Sequence, residues 1–432
     1  MANGSNLRFD VAVVGAGPAG IAAAVSAAAS GATVALFDDN PRPGGQIWRG
    51  GPGVSQKSEA LEWFERLGKS PVKVFRGARV FYLEGGVLSV ECGDAVLSVA
   101  YANLILATGA RELFLPFPGW TLPNVVGAGG MQALVKSGLP VKDKRILVAG
   151  TGPLLLAVAA YLRKAGARVI AMCEQTSWFR FARFGLGMSL VPGKLREASR
   201  MIFELGGIPL WTNCWPVSAR GKDRLASVQL SLGGRIREFE CDYLACGFHL
   251  LPNVELARLA GCRIQEEFVE VDEFQQTSVA KVYCAGEPTG IGGLELALVE
   301  GQVAGHAATH GEGAAKALFR QRASYRRVIR LLKDAFPLRH ELRALARSDT
   351  LVCRCEDVSL ERFREYDSWR AAKLQSRCGM GPCQGRVCGA AARFLFGWDT
   401  DSARPPVFPV KCSSLAAVAE PEEVGQLNGG IR

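Results

Sequence analysis

The chain has 432 residues, 48% hydrophobic and 21% charged, which excludes a disordered or fibrous protein and, at roughly 150 residues per domain, points to two or three globular domains. The 51 Lys and Arg against 41 Asp and Glu leave a net charge of +10, which calls for an acidic partner: nucleic acid, a membrane surface or another protein. Thirteen cysteines would mean disulfides only in a secreted protein, yet residues 1–10 lack the basic and apolar regions of a leader, and no stretch reaches the ~18 apolar residues of a membrane span. The expectation is a reducing, cytoplasmic location, with contact to the inner face of the cell membrane as an option, and thiols that are reduced, catalytic or metal-bound.

Asp10-Val11-Ala12-Val13-Val14 is short, β-branched and bounded by glycine, as a buried parallel strand is. Gly15, Gly17 and Gly20 follow in G-x-G-x-x-G spacing. Pro18 and Ala19 open an alanine-rich helix over 18–30, and a second strand over 33–37 ends at Asp38. In such a unit one glycine makes the tight turn, one lets backbone approach a pyrophosphate and one lets helix pack on strand. The phosphates sit on the helix N-terminus, and Asp38 is placed to accept hydrogen bonds from a ribose. A dinucleotide site is predicted, but these residues do not separate FAD from NAD.

Pro43-Gly44-Gly45-Gln46 resembles the loop after the second strand in two-dinucleotide-domain flavoproteins, and Leu104-Ile105-Leu106-Ala107-Thr108-Gly109 resembles their A-T-G signature. Val282-Tyr283-Cys284-Ala285-Gly286-Glu287 is similar to the strand whose terminal acid binds the ribityl chain, with Glu287 one methylene longer than the usual Asp. The resemblance implies FAD at Gly15, Gly17, Pro18, Ala19, Gly20, Asp38, Gly45, Gln46, Thr108, Gly109, Gly286 and Glu287.

The same pattern recurs as an internal repeat. Ile146-Leu147-Val148-Ala149 leads into Gly150-Thr151-Gly152-Pro153, an apolar helix runs to about 164, and a strand over 168–172 ends in Cys173-Glu174. The third glycine position holds Leu155, so two readings stand: a second nucleotide at Gly150, Gly152 and Glu174, or a fold kept for packing or partner binding. Glu174 favours an unphosphorylated ribose, as in NAD or ATP, while Arg180 and Arg183 keep a 2′-phosphate in play. FMN at a subunit interface is a further option. Asp242-Tyr243-Leu244-Ala245-Cys246-Gly247 resembles the strand that returns to the FAD domain. No C-x-x-C lies in this repeat, which excludes a thioredoxin-reductase dithiol mechanism. Trp178, Phe179, Arg180, Phe181, Arg183 and Phe184, in the aromatic and basic stretch 176–200, read as core plus a solvated face, with a partner or membrane surface as the sharper alternative.

From 316 to 347 ten basic residues face only Asp334 and Glu341, a net +8. Arg326, Arg330 and Lys333, with Leu318, Phe319, Ile329 and Leu332, suggest an amphipathic helix with a basic face. No stacking module accompanies the charge, so nucleic acid is not expected. An acidic partner subunit or anionic headgroups fit, against the plain alternative of a solvated face.

Five of the cysteines fall between 353 and 388: Cys353, Cys355, Cys378, Cys383 and Cys388. Clustered thiols in a reduced chain call for a metal. Four thiolates satisfy zinc or an iron–sulfur cluster equally on ligand count. A C-x-C pair with C-x₄-C is unusual for zinc, and Gly379, Gly381, Gly385 and Gly389 would keep side chains off the sulfurs and free backbone N–H groups for them. Cys353-Arg354-Cys355-Glu356 with Gly379-Met380-Gly381-Pro382-Cys383-Gln384-Gly385-Arg386-Val387-Cys388 resembles the C-terminal [2Fe–2S] domain related to bacterioferritin-associated ferredoxin. The whole chain, including Gly286-Glu287-Pro288-Thr289-Gly290-Ile291-Gly292-Gly293, resembles the larger electron-transfer subunit of bacterial opine oxidases, hydrogen cyanide synthase and D-hydroxyproline dehydrogenases.

That resemblance implies an α/β two-dinucleotide-binding-domain flavoprotein with nested Rossmann-like domains and a small C-terminal helical [2Fe–2S] domain. The FAD domain would comprise 1–115 and 245–312, the second nucleotide-like domain 116–244, a basic helical linker 313–348 and the cluster domain with its tail 349–432. It implies Cys353, Cys355, Cys383 and Cys388 as ligands and leaves Cys378 as a surplus thiol, a bystander or an alternative ligand. It also implies a hetero-oligomer with a catalytic amino-acid-oxidase-like flavoprotein subunit, together with a small ferredoxin-like subunit. The expected function is electron transfer from an amine or imino-acid substrate oxidised on the partner. A self-contained NADH-dependent flavin reductase and a metal-binding interaction module are the other readings. No side chain stands out as an acid–base catalyst, and His249, His306, His310 and His340 are isolated and read as structural.

Overall fold

Strand β1 (Asn6–Val14) runs into a turn at Gly15, helix α1 (Pro18–Ala28) and a parallel strand β2 (Val34–Asp38). The same order recurs as β3 (Arg145–Gly150), α2 (Leu154–Lys164) and β4 (Arg168–Glu174). Pro18 occupies the first helical turn, where its fixed φ is already helical and its missing N–H goes unneeded. Every residue of α1 except Val25 is buried, which is why this helix is apolar all round. The structure, a computed structural model, describes residues 6–52, 58–189, 203–400 and 403–419, and the chain divides into two compact units.

The first unit takes Met1–Gly109, Asn253–Phe319 and Ala403–Arg432. Its seven-stranded sheet runs Lys73–Arg76, β2, β1, Ala95–Leu106, Val87–Cys92 and Ala78–Glu84, with Val282–Cys284 also paired to Ala95–Leu106. Val14 stands in register with Phe37 and Leu106, and Leu106 with Cys284. The carboxyl ends of four parallel strands are thus level, which brings Gly15, Asp38, Thr108 and Gly286 to one edge. Helix Leu294–Ala307 lies along α1, and β-carbons at Gly301 and Gly305 would collide with the carbonyls of Ala19 and Ala23. The segment from 403 returns to this unit: Val407 N–H donates to Phe81 O at 3.0 Å, and Lys411 Nζ reaches Asp94 Oδ1 at 2.5 Å.

The second unit takes Ala110–Pro252 and Arg320–Ser402. Five parallel strands run Leu210–Thr212, β4, β3, Tyr243–Gly247 and Val125–Val126, and a separate antiparallel sheet holds Cys214–Arg220, Ser227–Leu232 and Arg235–Glu240. Both units are Rossmann-like, so the chain has a mixed α/β fold. Leu155, where the first turn has Gly20, is 3% exposed in the core between α2 and the sheet.

The basic stretch does not form one helix. Helices Glu312–Ala317 and Phe319–Ala335 are followed by a 3₁₀ turn at His340–Ala344. Pro337 stops the long helix, since it lacks an N–H and forces its predecessor out of the helical region. Arg320, Arg327, Arg330 and Lys333 are exposed, but Arg322 is buried, so the basic face is narrower than the charge count suggests. Among the described residues no helix is long and apolar enough to cross a membrane.

Candidate functional site

The first glycine turn is assembled by contacts that leave no space for side chains. A β-carbon on Gly15 would strike the Ala107 carbonyl, and one on Gly20 the carbonyl of Gly15. Gly15 also has φ +103°, a conformation open to glycine alone at little cost. Gly45 closes over the turn: its β-carbon would lie 2.9 Å from Gly17 Cα, and Gly44 N–H donates to Ala16 O at 2.7 Å. Asp38 Oδ2 accepts from Ala16 N–H at 2.6 Å, and Oδ1 from the Asn40 backbone and side chain at 2.8 Å. The acid therefore shapes the turn, while Asp39 and Gln46 around it are exposed.

The opposite side of the cradle comes from residues distant in sequence. Asn253 ties the Ala107-Thr108-Gly109 turn: its Nδ2 donates to Thr108 O at 2.9 Å, its carbonyl accepts from Thr108 Oγ1 at 2.5 Å, and its N–H donates to Gly109 O at 2.9 Å. Glu300, 2% exposed, accepts from Gly286 N–H at 3.2 Å and Thr289 Oγ1 at 3.0 Å, holding the turn on which Glu287 stands. Burial raises the pKa of the Glu287 carboxyl to about 7, and no described residue offers it a hydrogen bond or ion pair. In the loop that follows β2, Trp48 Nε1, 1% exposed, also lacks a partner. A glycine-walled cradle with level strand ends, a half-buried free carboxyl and an orphan buried N–H fits a bound flavin dinucleotide. Neither Asn253 nor Glu300 belongs to a motif; the only available signal is a polar residue inside an apolar stretch.

The second turn differs. Gly150 again requires glycine, with φ +133° and its β-carbon position against the Gly247 carbonyl. Glu174, 2% exposed, accepts from Thr151 Oγ1 at 2.7 Å, Gly152 N–H at 2.7 Å and Thr176 N–H at 2.8 Å. Burial raises its pKa, with these hydrogen bonds opposing. Arg180 and Arg183 lie exposed on helix Trp178–Ser189, whose Phe181 and Phe184 rings pack on Phe336 at 6.3 and 4.9 Å. Trp178 and Phe179 point to solvent. The remainder of the stretch, 190–200, lies outside the described residues.

The four proposed ligands meet in the C-terminal part of the second unit. Cys353 ends a short strand, Cys388 opens helix Cys388–Phe396, and Cys355 and Cys383 sit in loops. Hydrogen bonds link their sulfurs in the order Cys353, Cys388, Cys383, Cys355. Hydrogen bonding with Cys388 draws Cys353 down to about 6 and Cys383 to about 4 and raises Cys388 itself. Backbone N–H groups of Gly379, Glu356 and Cys355 also serve Cys353, and those of Val387 and Gly385 serve Cys383.

The glycines here have separate uses. Of these only Gly381 borders a cysteine, its β-carbon position colliding with that of Cys355; β-carbons at Gly379 and Gly385 would press on the Trp369 ring at 2.7 and 3.1 Å, and one at Gly389 would be in ordinary contact. Cys378 is fully buried and raised by burial to about 11. Among the described residues no three His, Cys, Asp or Glu side chains converge as a ready single-ion site. A contiguous run of four thiols with backbone N–H donors fits a cluster of two irons, which spreads its ligands over two metals. The histidines stand apart, with His340 89% exposed and His306 half-buried and lowered by burial.

Comparison with known proteins agrees with this architecture. The pyridine nucleotide-disulphide oxidoreductase family model matches residues 9–309. The opine oxidase A subunit of Rhizobium meliloti is 30% identical, covering 95% of this chain and 88% of its own, and hydrogen cyanide synthase subunit HcnB of Pseudomonas aeruginosa is 32% identical, covering 93% and 97%. The crystal structure of L-proline dehydrogenase from P. horikoshii shares the fold at 20% identity, with a TM-score of 0.68 over 96% of this chain and 81% of that one. The chain is an oxidoreductase that belongs to the pyridine nucleotide-disulphide oxidoreductase family, in the group that includes the opine oxidase A subunit and HcnB.

Proposed function

We propose that this chain is the electron-carrying flavo-iron–sulfur subunit of a multi-subunit dehydrogenase for an amino or imino acid of opine, D-hydroxyproline or glycine type. Substrate oxidation falls on a partner amino-acid-oxidase-like flavoprotein, and a small ferredoxin-like subunit completes the assembly. The observation that carries this reading is the run of four hydrogen-bonded thiols in a chain that also has an FAD-type cradle. FAD exchanges one or two electrons and a [2Fe–2S] cluster one, so together they divide a two-electron oxidation into single steps. Similarity to the opine oxidase A subunit and HcnB over most of the chain supports the subunit role.

In this reading Gly15, Gly17, Pro18, Ala19 and Gly20 present backbone to the pyrophosphate, with Asp38 on the ribose. Gly45 and Gln46 close the loop, and Thr108, Gly109, Gly286 and Glu287 line the flavin side. Cys353, Cys355, Cys383 and Cys388 hold the cluster, in a domain that begins at 349 after the basic linker 313–348, while the tail from 403 packs on the first unit. The exposed arginines of helix Phe319–Ala335 dock an acidic partner surface or anionic headgroups on the inner face of the cell membrane. Co-purification at native expression tests the reading: a flavoprotein partner and about two irons per chain are expected. A chain that purifies alone, and whose flavin is bleached by NADH within seconds, is instead a self-contained reductase; a colourless zinc-bound domain is an interaction module.

A further inference from the structure

The C-terminal edge of the second parallel sheet is covered by the chain's own residues 335–341. Thr176 Oγ1 donates to Ala335 O at 3.2 Å, and Gln175 Nε2 donates to Pro337 O at 2.9 Å and to Thr151 Oγ1 at 3.1 Å. Arg339 answers with its N–H to Gln175 Oε1 at 3.0 Å and its Nη1 to Gln175 O at 3.2 Å and Asn213 Oδ1 at 2.6 Å, while its guanidinium stacks over Trp215 at 4.8 Å. Gln175 is 0% exposed, Thr176 3% and Thr151 4%, so Glu174 has protein on every side.

The first unit provides an internal comparison. Asp39 and Asn40, which follow Asp38 as Gln175 and Thr176 follow Glu174, are exposed and half-buried. One corner is open to a ligand and its counterpart is sealed. An adenosine ribose normally lies against the acid that ends the second strand of such a unit, where the acid accepts from its hydroxyls. Both acids already accept hydrogen bonds, Asp38 from Ala16 and Asn40 and Glu174 from Thr151, Gly152 and Thr176, so what sets the second corner apart is the segment that covers it. A ribose there would have to displace the covering segment, leaving several buried polar groups unpaired.

We propose that residues 335–341 are the resident occupant of the second unit's adenosine corner, so that this unit takes up no NAD(H), NADP(H) or ATP and Glu174 acts as an internal strut. Nucleotide binding is read directly, so the outcome does not depend on whether the chain carries electrons for a partner. The test is calorimetric titration of the full chain with NADH, NADPH and ATP up to about 1 mM, the upper end of ordinary coenzyme requirements, together with amide hydrogen exchange. No saturable heat is expected, with slow exchange at 174–176 that NADH leaves unchanged. Saturable binding that protects residues 150–152 overturns the proposal. In the Gln175→Ala/Arg339→Ala double variant, exchange should quicken at 174–176 and 335–341 but not at 15–17; unchanged exchange would mean that the segment does not seal the corner, and it too overturns the proposal. Arg339→Lys, which keeps the charge but loses the guanidinium's several donors, gives the same reading should the double variant fail to fold.

Discussion

Gly301 lies directly on Ala19: a β-carbon there would stand 2.9 Å from the Ala19 carbonyl carbon and 3.0 Å from its Cα. Ala19 is in the first turn of α1, the end that faces the expected pyrophosphate, so the glycine of one helix sets the position of another helix's N-terminus. Gly301→Ala should cost about 1–3 kcal/mol, the range of an overpacked core, and should lower the flavin content of purified protein as α1 is pushed away. Gly68→Ala is the control, since that helical glycine has open space around it. It should leave flavin content unchanged and add up to ~1 kcal/mol of stability. Equal flavin content in the two variants would show that the Gly301 contact does not position the cradle.

Asp38 joins the turn to the second strand through its 2.6 Å bond from Ala16 N–H. Asp38→Ala leaves that buried donor unpaired, costing about 1–3 kcal/mol, and removes the acceptor proposed for the ribose. Flavin should then dissociate on gel filtration. Retention of flavin at wild-type stoichiometry would remove Asp38 from the site.

The proposed assignment of four cysteines as ligands and Cys378 as a bystander can be tested by substitution. Cys383→Ser and Cys355→Ser should each abolish bound iron and visible absorbance, and Gly381→Ala should do the same by displacing Cys355. Cys378→Ala should keep both at a cost of about 1 kcal/mol from lost packing, because Cys378 is buried and protonated. Iron analysis of the four variants decides the assignment; loss of iron from the Cys378 variant alone would reverse it.

Glu287 gives stability a pH dependence of definite sign. Burial raises its pKa from 4.5 to about 7, so folding favours the protonated form. Its contribution is fully present below pH 4.5 and is lost as the pH rises through about 7. Between pH ~5 and ~8 the denaturation midpoint of the full chain should fall by the equivalent of about 2 kcal/mol, allowing for the side chain's partial exposure. Glu287→Gln should flatten that slope; an unaltered slope would locate the titrating group elsewhere.

Local sequence determined both glycine turns, because a glycine conformation and a close backbone approach are encoded in a few adjacent residues. Gly15, Gly20 and Gly150 each stand against a carbonyl where no side chain fits. The clustering of Cys353, Cys355, Cys383 and Cys388 was visible in their spacing, and the structure links their sulfurs by hydrogen bonds. Tertiary structure alone decided what reaches these sites from afar. Asn253 arrives 145 residues after Thr108, and Glu300 braces Gly286 from the next helix. The charge of the 316–347 stretch was plain in the sequence, but Arg322 is buried and Pro337 ends the helix. The fates of Asp38 and Glu174 separate most clearly: similar motifs end in similar acids, yet one corner lies open and the other is covered by residues 335–341. Motif spacing fixes which backbone groups a turn presents, whereas the access of a ligand to them depends on chain packed there from more than a hundred residues away.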